Sequence, residues 1–134
     1  MAGRPCRCDA KDDWAGLCAE AAAGGLSALA AAPDGELVRD PALRRLLRET
    51  AREAAAAARS AGLRVCGDPA AIAGKRCRTS PDRRHPWQRA LAAGRASGAD
   101  EILGGLLAAA RRAGIPVPRL SLIAAALKRL DRKR

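Results

Sequence analysis

Residues 94–118, GRASGADEILGGLLAAARRAGIPVP, hold a helix start, an apolar stripe, a helix stop and a proline-stiffened turn in one run. Ser97 is placed to cap the free amides of the following helix, and Asp100 and Glu101 are favourable near its positive end. Ile102, Leu103, Leu106, Leu107 and Ala110 then recur at three-and-four spacing, which puts the branched side chains on one face. Gly114 stands where a left-handed C-cap is needed, and Pro116 and Pro118 forbid simple continuation. Leu120, Ile123, Leu127 and Leu130 repeat the helical period, so this stretch is a helix, a short turn and a second helix.

The same punctuation recurs upstream. Asp40 before Pro41 reads as an N-cap followed by a proline at the first helical position, then Leu43, Leu46, Leu47, Ala51, Ala54 and Ala58, with Gly62 as the stop. Asp68-Pro69 starts a short helix through Ala71, Ile72 and Lys75, and Pro86 opens another over residues 87–93 that Gly94 ends. Residues 79–86 read as a loop, and Pro33-Asp34-Gly35 as a turn. Asp12 or Asp13 can cap a first helix from near Trp14 through an alanine-rich segment, where Glu20 and the Gly24-Gly25 pair argue against membrane insertion. Residues 1–11 carry charge, glycine and proline without periodicity, and read as a disordered leader. No alternating run of strand length occurs, and Phe and Tyr are absent. The expected fold is therefore all-α: a single domain over residues 12–134, of about six helices. Leu43, Leu47, Leu103, Leu107, Ile123 and Leu127 are its expected core positions.

A net charge of +11 favours nucleic acid or acidic surfaces only if it is gathered on one face. Arg44, Arg45, Arg48 and Arg52 alternate with Glu49 and Glu53, which is the pattern of a solvated helix face, and no aromatic platform accompanies the arginines. No specific nucleic-acid partner and no membrane is expected. The cysteines, Cys6, Cys8, Cys18, Cys66 and Cys77, are odd in number and follow no secretory signal, so reduced cytoplasmic thiols are expected. Cys6-x-Cys8 with the lone His85 does not make a metal site.

Gly94-Arg95, Ser97, Ala99-Asp100, Ile102-Leu103-Gly104 and Leu106-Leu107, followed by G-I-P-V-P, resemble the end of the C-terminal helical domain of the ketopantoate reductase family, in a divergent branch. Trp14-x-x-Leu17 and Pro33-Asp34-Gly35-Glu36-Leu37 resemble that family's opening helix and its turn, at matching separation. The resemblance covers residues 14–130 and implies an NADPH-dependent 2-keto acid reductase. In that family an N-terminal Rossmann domain holds the cofactor, and the helical domain supplies a lysine, asparagines, a serine and a glutamate. In this register the lysine falls on Gly16, the asparagines on Glu20 and Gly24, the serine near His85 or Pro86, and the glutamate on Gly98. None of these matches, so no catalytic, cofactor-binding or metal residue is assigned. Lys11 and Lys75 read as solvated; Glu20, on a helix otherwise of alanine and leucine, either faces the family's active-site cleft or, by default, is an exposed surface glutamate. No G-x-G-x-x-G occurs, so no cofactor is expected in this chain, and its partner is a Rossmann chain or a second copy of itself. Two other readings stand beside this one: a self-associating helical module, and a basic nucleic-acid-binding helical protein.

Overall fold

The computed structural model describes residues 13–132; the leader read at residues 1–11 lies outside them. Seven helices and no strand occur among the described residues: α1 (Ala15–Ala30), α2 (Asp34–Arg39), α3 (Pro41–Ser60), α4 (Pro69–Thr79), α5 (Pro86–Ala92), α6 (Asp100–Ala113) and α7 (Pro118–Arg132). The all-α expectation holds, with one helix more than expected. That helix is α2, which begins inside the stretch read as a turn. Asp34 and Glu36 favour its first turn, and the Asp34 and Gly35 amides donate to the carbonyls of Arg83 and Pro81. A Cβ on Gly35 would lie 2.7 Å from Pro81 Cβ, so only glycine lets the start of α2 lie this close to the 80–85 segment.

Helix α1 is the axis of the fold. It packs against α2, α3, α4, α5 and α7, and buries residues on every side, as a helix apolar all round must. Alanine and glycine make this possible, because small faces let helices approach closely. A Cβ on Gly25 would lie 2.6 Å from Ile123 Cγ2 of α7. Helix α3 is one-sided instead, burying Leu47, Ala51, Ala54 and Ala58 at helical spacing and leaving its arginines outside. Helices α6 and α7 close the other side of α3. Leu47, Leu103, Ile123 and Leu127 are buried as expected, whereas Leu43 and Leu107 are half-buried at the edge of the same core. No helix among the described residues is long and apolar enough to cross a membrane.

Several helix ends follow the sequence signals. Asp40 accepts from the Ala42 and Leu43 amides, Asp68 accepts from Ala70, and Gly114 is left-handed at φ 69°. Ser97 does not cap α6, which begins after Ala99 with no side-chain cap. Its amide and hydroxyl donate instead to Asp131 at the far end of α7, and its oxygen accepts from the Ala99 amide. The start of α7 is capped from another helix. Glu53 of α3 accepts from the Arg119 and Leu120 amides at 3.0 Å, and both Glu53 and Glu49 pair with the Arg119 guanidinium.

The thiol expectation needs correction. Asp13 accepts from the amides of Ala15, Cys66 and Gly67, and the Cys66 bond contributes most to holding its carboxyl below the usual range. This clamp fixes the Cys66 backbone at the start of α1. Cys66 is disulfide-bonded, while Cys18 and Cys77 are free and buried. Proximity set by a carboxylate clamp is not visible in a count of cysteines. Burial pushes the Cys18 thiol up to about 11 and that of Cys77 to about 12, which leaves both unreactive near neutral pH.

Candidate functional site

Gly16, Glu20 and Gly24 stand four residues apart, so they share one face of α1. Opposite them lie the end of α4, residues 80–85 and the start of α5. His85 is the N-cap of α5, with Pro86 at the first helical position, the same device as Asp40-Pro41 and Asp68-Pro69. Its Nδ1 accepts from the Trp87 amide at 3.2 Å, so in the neutral ring the proton sits on Nε2. That Nε2 lies 2.7 Å from Glu20 Oε2 and donates to it. The His85 and Trp87 rings meet edge to face, with centroids 5.0 Å apart.

Two arginines complete the cluster. Arg76 Nη1 lies 3.1 Å from Glu20 Oε1 and also donates to the Gly16 carbonyl, while Arg83 reaches Glu20 at 3.7 Å and Asp34 at 3.9 Å. A Cβ on Gly16 would lie 3.2 Å from Arg76 Nη2, and one on Gly24 would lie 2.6 Å from His85 Cε1 and 2.7 Å from Trp87 Cε3. Glycine at position 24 is what lets His85 and Trp87 pack this close to α1, and at position 16 it leaves room for the Arg76 guanidinium. A groove of about 560 Å³ opens beside the cluster, lined by Glu20, Lys75, Arg76, Thr79, Ser80 and Arg83.

The hydrogen bond from His85, ahead of the charges of His85, Arg83 and Arg76, holds the Glu20 carboxyl below the usual range against the opposing effect of burial. Glu20 is therefore an anion at neutral pH. Burial pushes Asp34 the other way, and its Oδ1 has no partner. The two acids respond to pH with opposite sign. Glu20, with its folded pKa below the unfolded one, stabilises the fold above the unfolded value of about 4.3, and this is lost as pH falls through the folded value. Asp34, with its folded pKa raised, favours the fold below its unfolded value and loses that contribution as pH rises through the folded one. Thermal melts should accordingly place Glu20→Gln below the parent at pH 7, with the gap closing below about pH 4. A gap that persists or widens in acid contradicts the assignment.

The structure brings together Gly16, Glu20, Gly24 and His85, the positions on which the resemblance places the lysine, the asparagines and the serine. It does not bring Gly98 to them. Gly98 precedes α6 at φ 84°, next to Ser97 and its contact with Asp131, and lines no part of the groove. Glu20 is half-buried rather than exposed, and Lys75 is exposed at the groove's rim. The roles of Arg76 and Arg83 carry no local signal. The role of His85 did carry one: a capping residue before Pro86, in a chain that repeats the device.

Comparison with known proteins agrees with this fold. Residues 10–131 match the family described as the ketopantoate reductase PanE/ApbA C terminal. Among solved structures, the chain is similar to a PanE/ApbA family ketopantoate reductase from Ralstonia eutropha JMP134, with a TM-score of 0.82 and 29% identity over 90% of this chain. It is also similar to a probable 2-dehydropantoate 2-reductase, panE, from Bacillus subtilis, with a TM-score of 0.76 and 25% identity over 87% of this chain. The alignments span 40% and 39% of those two proteins. No curated protein matches the sequence. With a family match over nearly its full length and the same helical architecture in both relatives, the chain belongs to the ketopantoate reductase PanE/ApbA C-terminal family.

Proposed function

We propose that this chain is the substrate-side helical half of a ketopantoate-reductase-like 2-keto acid reductase, and that it has no catalysis of its own. The observation that carries the reading is Glu20. A carboxylate held as an anion stands where the family resemblance implies an amide, and it faces the groove in which a keto acid would present its own carboxylate. Of the three cations that line the groove, Arg76 and Arg83 are already paired with Glu20 and Asp34, and Lys75 stands exposed at its rim. Gly16 has no side chain to donate a proton in place of a lysine.

What such a half retains is an interface. Mixing the full chain with the Rossmann half of a ketopantoate reductase should give a complex by sedimentation or size-exclusion chromatography. Two species that migrate independently at every concentration would remove this reading.

A second reading, self-association, is favoured by one feature. Leu122 and Leu130 stand eight residues apart on α7, and are 70% and 41% exposed. A dimer closed by this face dissociates when Leu122→Asp and Leu130→Asp are combined. A monomer at every concentration rejects it.

A further inference from the structure

Along α3 the sequence interleaves arginine with glutamate, which reads as a balanced, solvated face. The structure separates the two signs. Glu49 and Glu53 turn toward α7, where Arg119 and the first amides of that helix take both carboxylates, and Arg45 shares Glu49. Arg44, Arg48 and Arg52, at four-residue steps, form a row about 6 Å apart that faces α4. Arg78 of α4 joins them from the opposite wall, its guanidinium lying over Gly74, where a Cβ would be 3.1 Å from Nη1. No ion pair joins any of these four arginines to a carboxylate among the described residues.

Between the two helices lies a groove of about 380 Å³, in the size range of a small-molecule site. The one carboxylate that lines it, Asp68, stands at its α4 end, where it accepts from the Ala70 amide to cap that helix. A groove with four unpaired guanidinium forks and one committed acid has the chemistry of a phosphate site, since the planar fork matches two phosphate oxygens at once. The row calls for a ligand with several negative charges in a short line. No aromatic residue lines the groove, so a base has nothing to stack on.

We propose that the α3–α4 groove binds an oligophosphate chain, either inorganic polyphosphate or the phosphate chain of a nucleotide, through Arg44, Arg48, Arg52 and Arg78. The proposal is independent of the reductase reading, because it uses a different face of the molecule and none of the Glu20 cluster.

Calorimetric titration of the full chain at low salt tests it, with tripolyphosphate, ATP, AMP and orthophosphate as probes. Tripolyphosphate should bind, with orthophosphate and AMP weaker by at least about tenfold. ATP equal to tripolyphosphate assigns the site to phosphate chains in general, and ATP weaker assigns it to the inorganic chain; both support the proposal. Combining Arg44→Gln, Arg48→Gln and Arg78→Gln should weaken tripolyphosphate by at least about tenfold, while Arg111→Gln, Arg112→Gln and Arg129→Gln, which remove the same charge elsewhere, should change it by less than about twofold. Arg48→Lys keeps the charge and the fold but loses the fork, and should still weaken binding severalfold. Equal losses in the two triple variants would reduce the effect to net charge and overturn the proposal. So would the absence of tripolyphosphate binding, or a short single-stranded oligonucleotide that binds far more tightly through the same arginines.

Discussion

Leu47→Ala is expected to destabilise the protein by about 2–5 kcal/mol, and Leu107→Ala by distinctly less. Both leucines lie on the apolar stripe of their helix. Leu47 is fully buried in the core, so its truncation leaves a void. Leu107 stands at the edge of the α6–α7 groove, half in solvent, and its removal exposes rather than hollows. Denaturant melts of the two variants provide the comparison. Equal losses would mean that the α6 face is packed against something else, or that the core does not run through Leu47.

A second large effect is expected at Gly24, the position on which the family resemblance places an asparagine. Gly24→Asn should cost about 1–3 kcal/mol or more, because even its Cβ overlaps His85 and Trp87, and both rings are buried and held. His85 cannot retreat without losing Glu20 or the Trp87 amide. Gly104→Ala is the matched control. It lies on the exposed face of α6 with nothing within 4 Å of its Cβ, and should stabilise by about 0.5–1 kcal/mol through helix propensity. A Gly24→Asn variant that melts with the parent would show that the α5 cap moves freely, and that the α1 wall is not filled as described.

The contrast between these two glycines shows what the sequence could convey. Helix ends set by adjacent residues were legible: Asp40-Pro41, Asp68-Pro69 and the left-handed Gly114 each act within a few residues of themselves. Features set by a distant partner were not. Ser97 has the chemistry of a cap, but an acid 34 residues away takes its amide and hydroxyl. Pro33-Asp34-Gly35 has turn chemistry, yet continues into α2, because the 80–85 segment accepts its first amides. Glu49 and Glu53 look like partners for the α3 arginines until Arg119 arrives from α7. At the candidate site, four of the positions that the family resemblance singled out, Gly16, Glu20, Gly24 and His85, lie together, while Gly98 does not join them. The resemblance carried no sign of the Arg76–Glu20–His85 network that joins the four, since those contacts span more than fifty residues.

That network supports the proposal that this helical domain does no reductase chemistry. The direct measurement is NADPH oxidation in the presence of ketopantoate, by the full chain alone and with a separately supplied Rossmann half that binds it. The no-protein baseline is expected in both cases, and again after Gly16→Lys and Gly98→Glu, because Glu20 still faces the groove and Gly98 does not line it. Oxidation that depends on both chains and on ketopantoate would contradict the proposal.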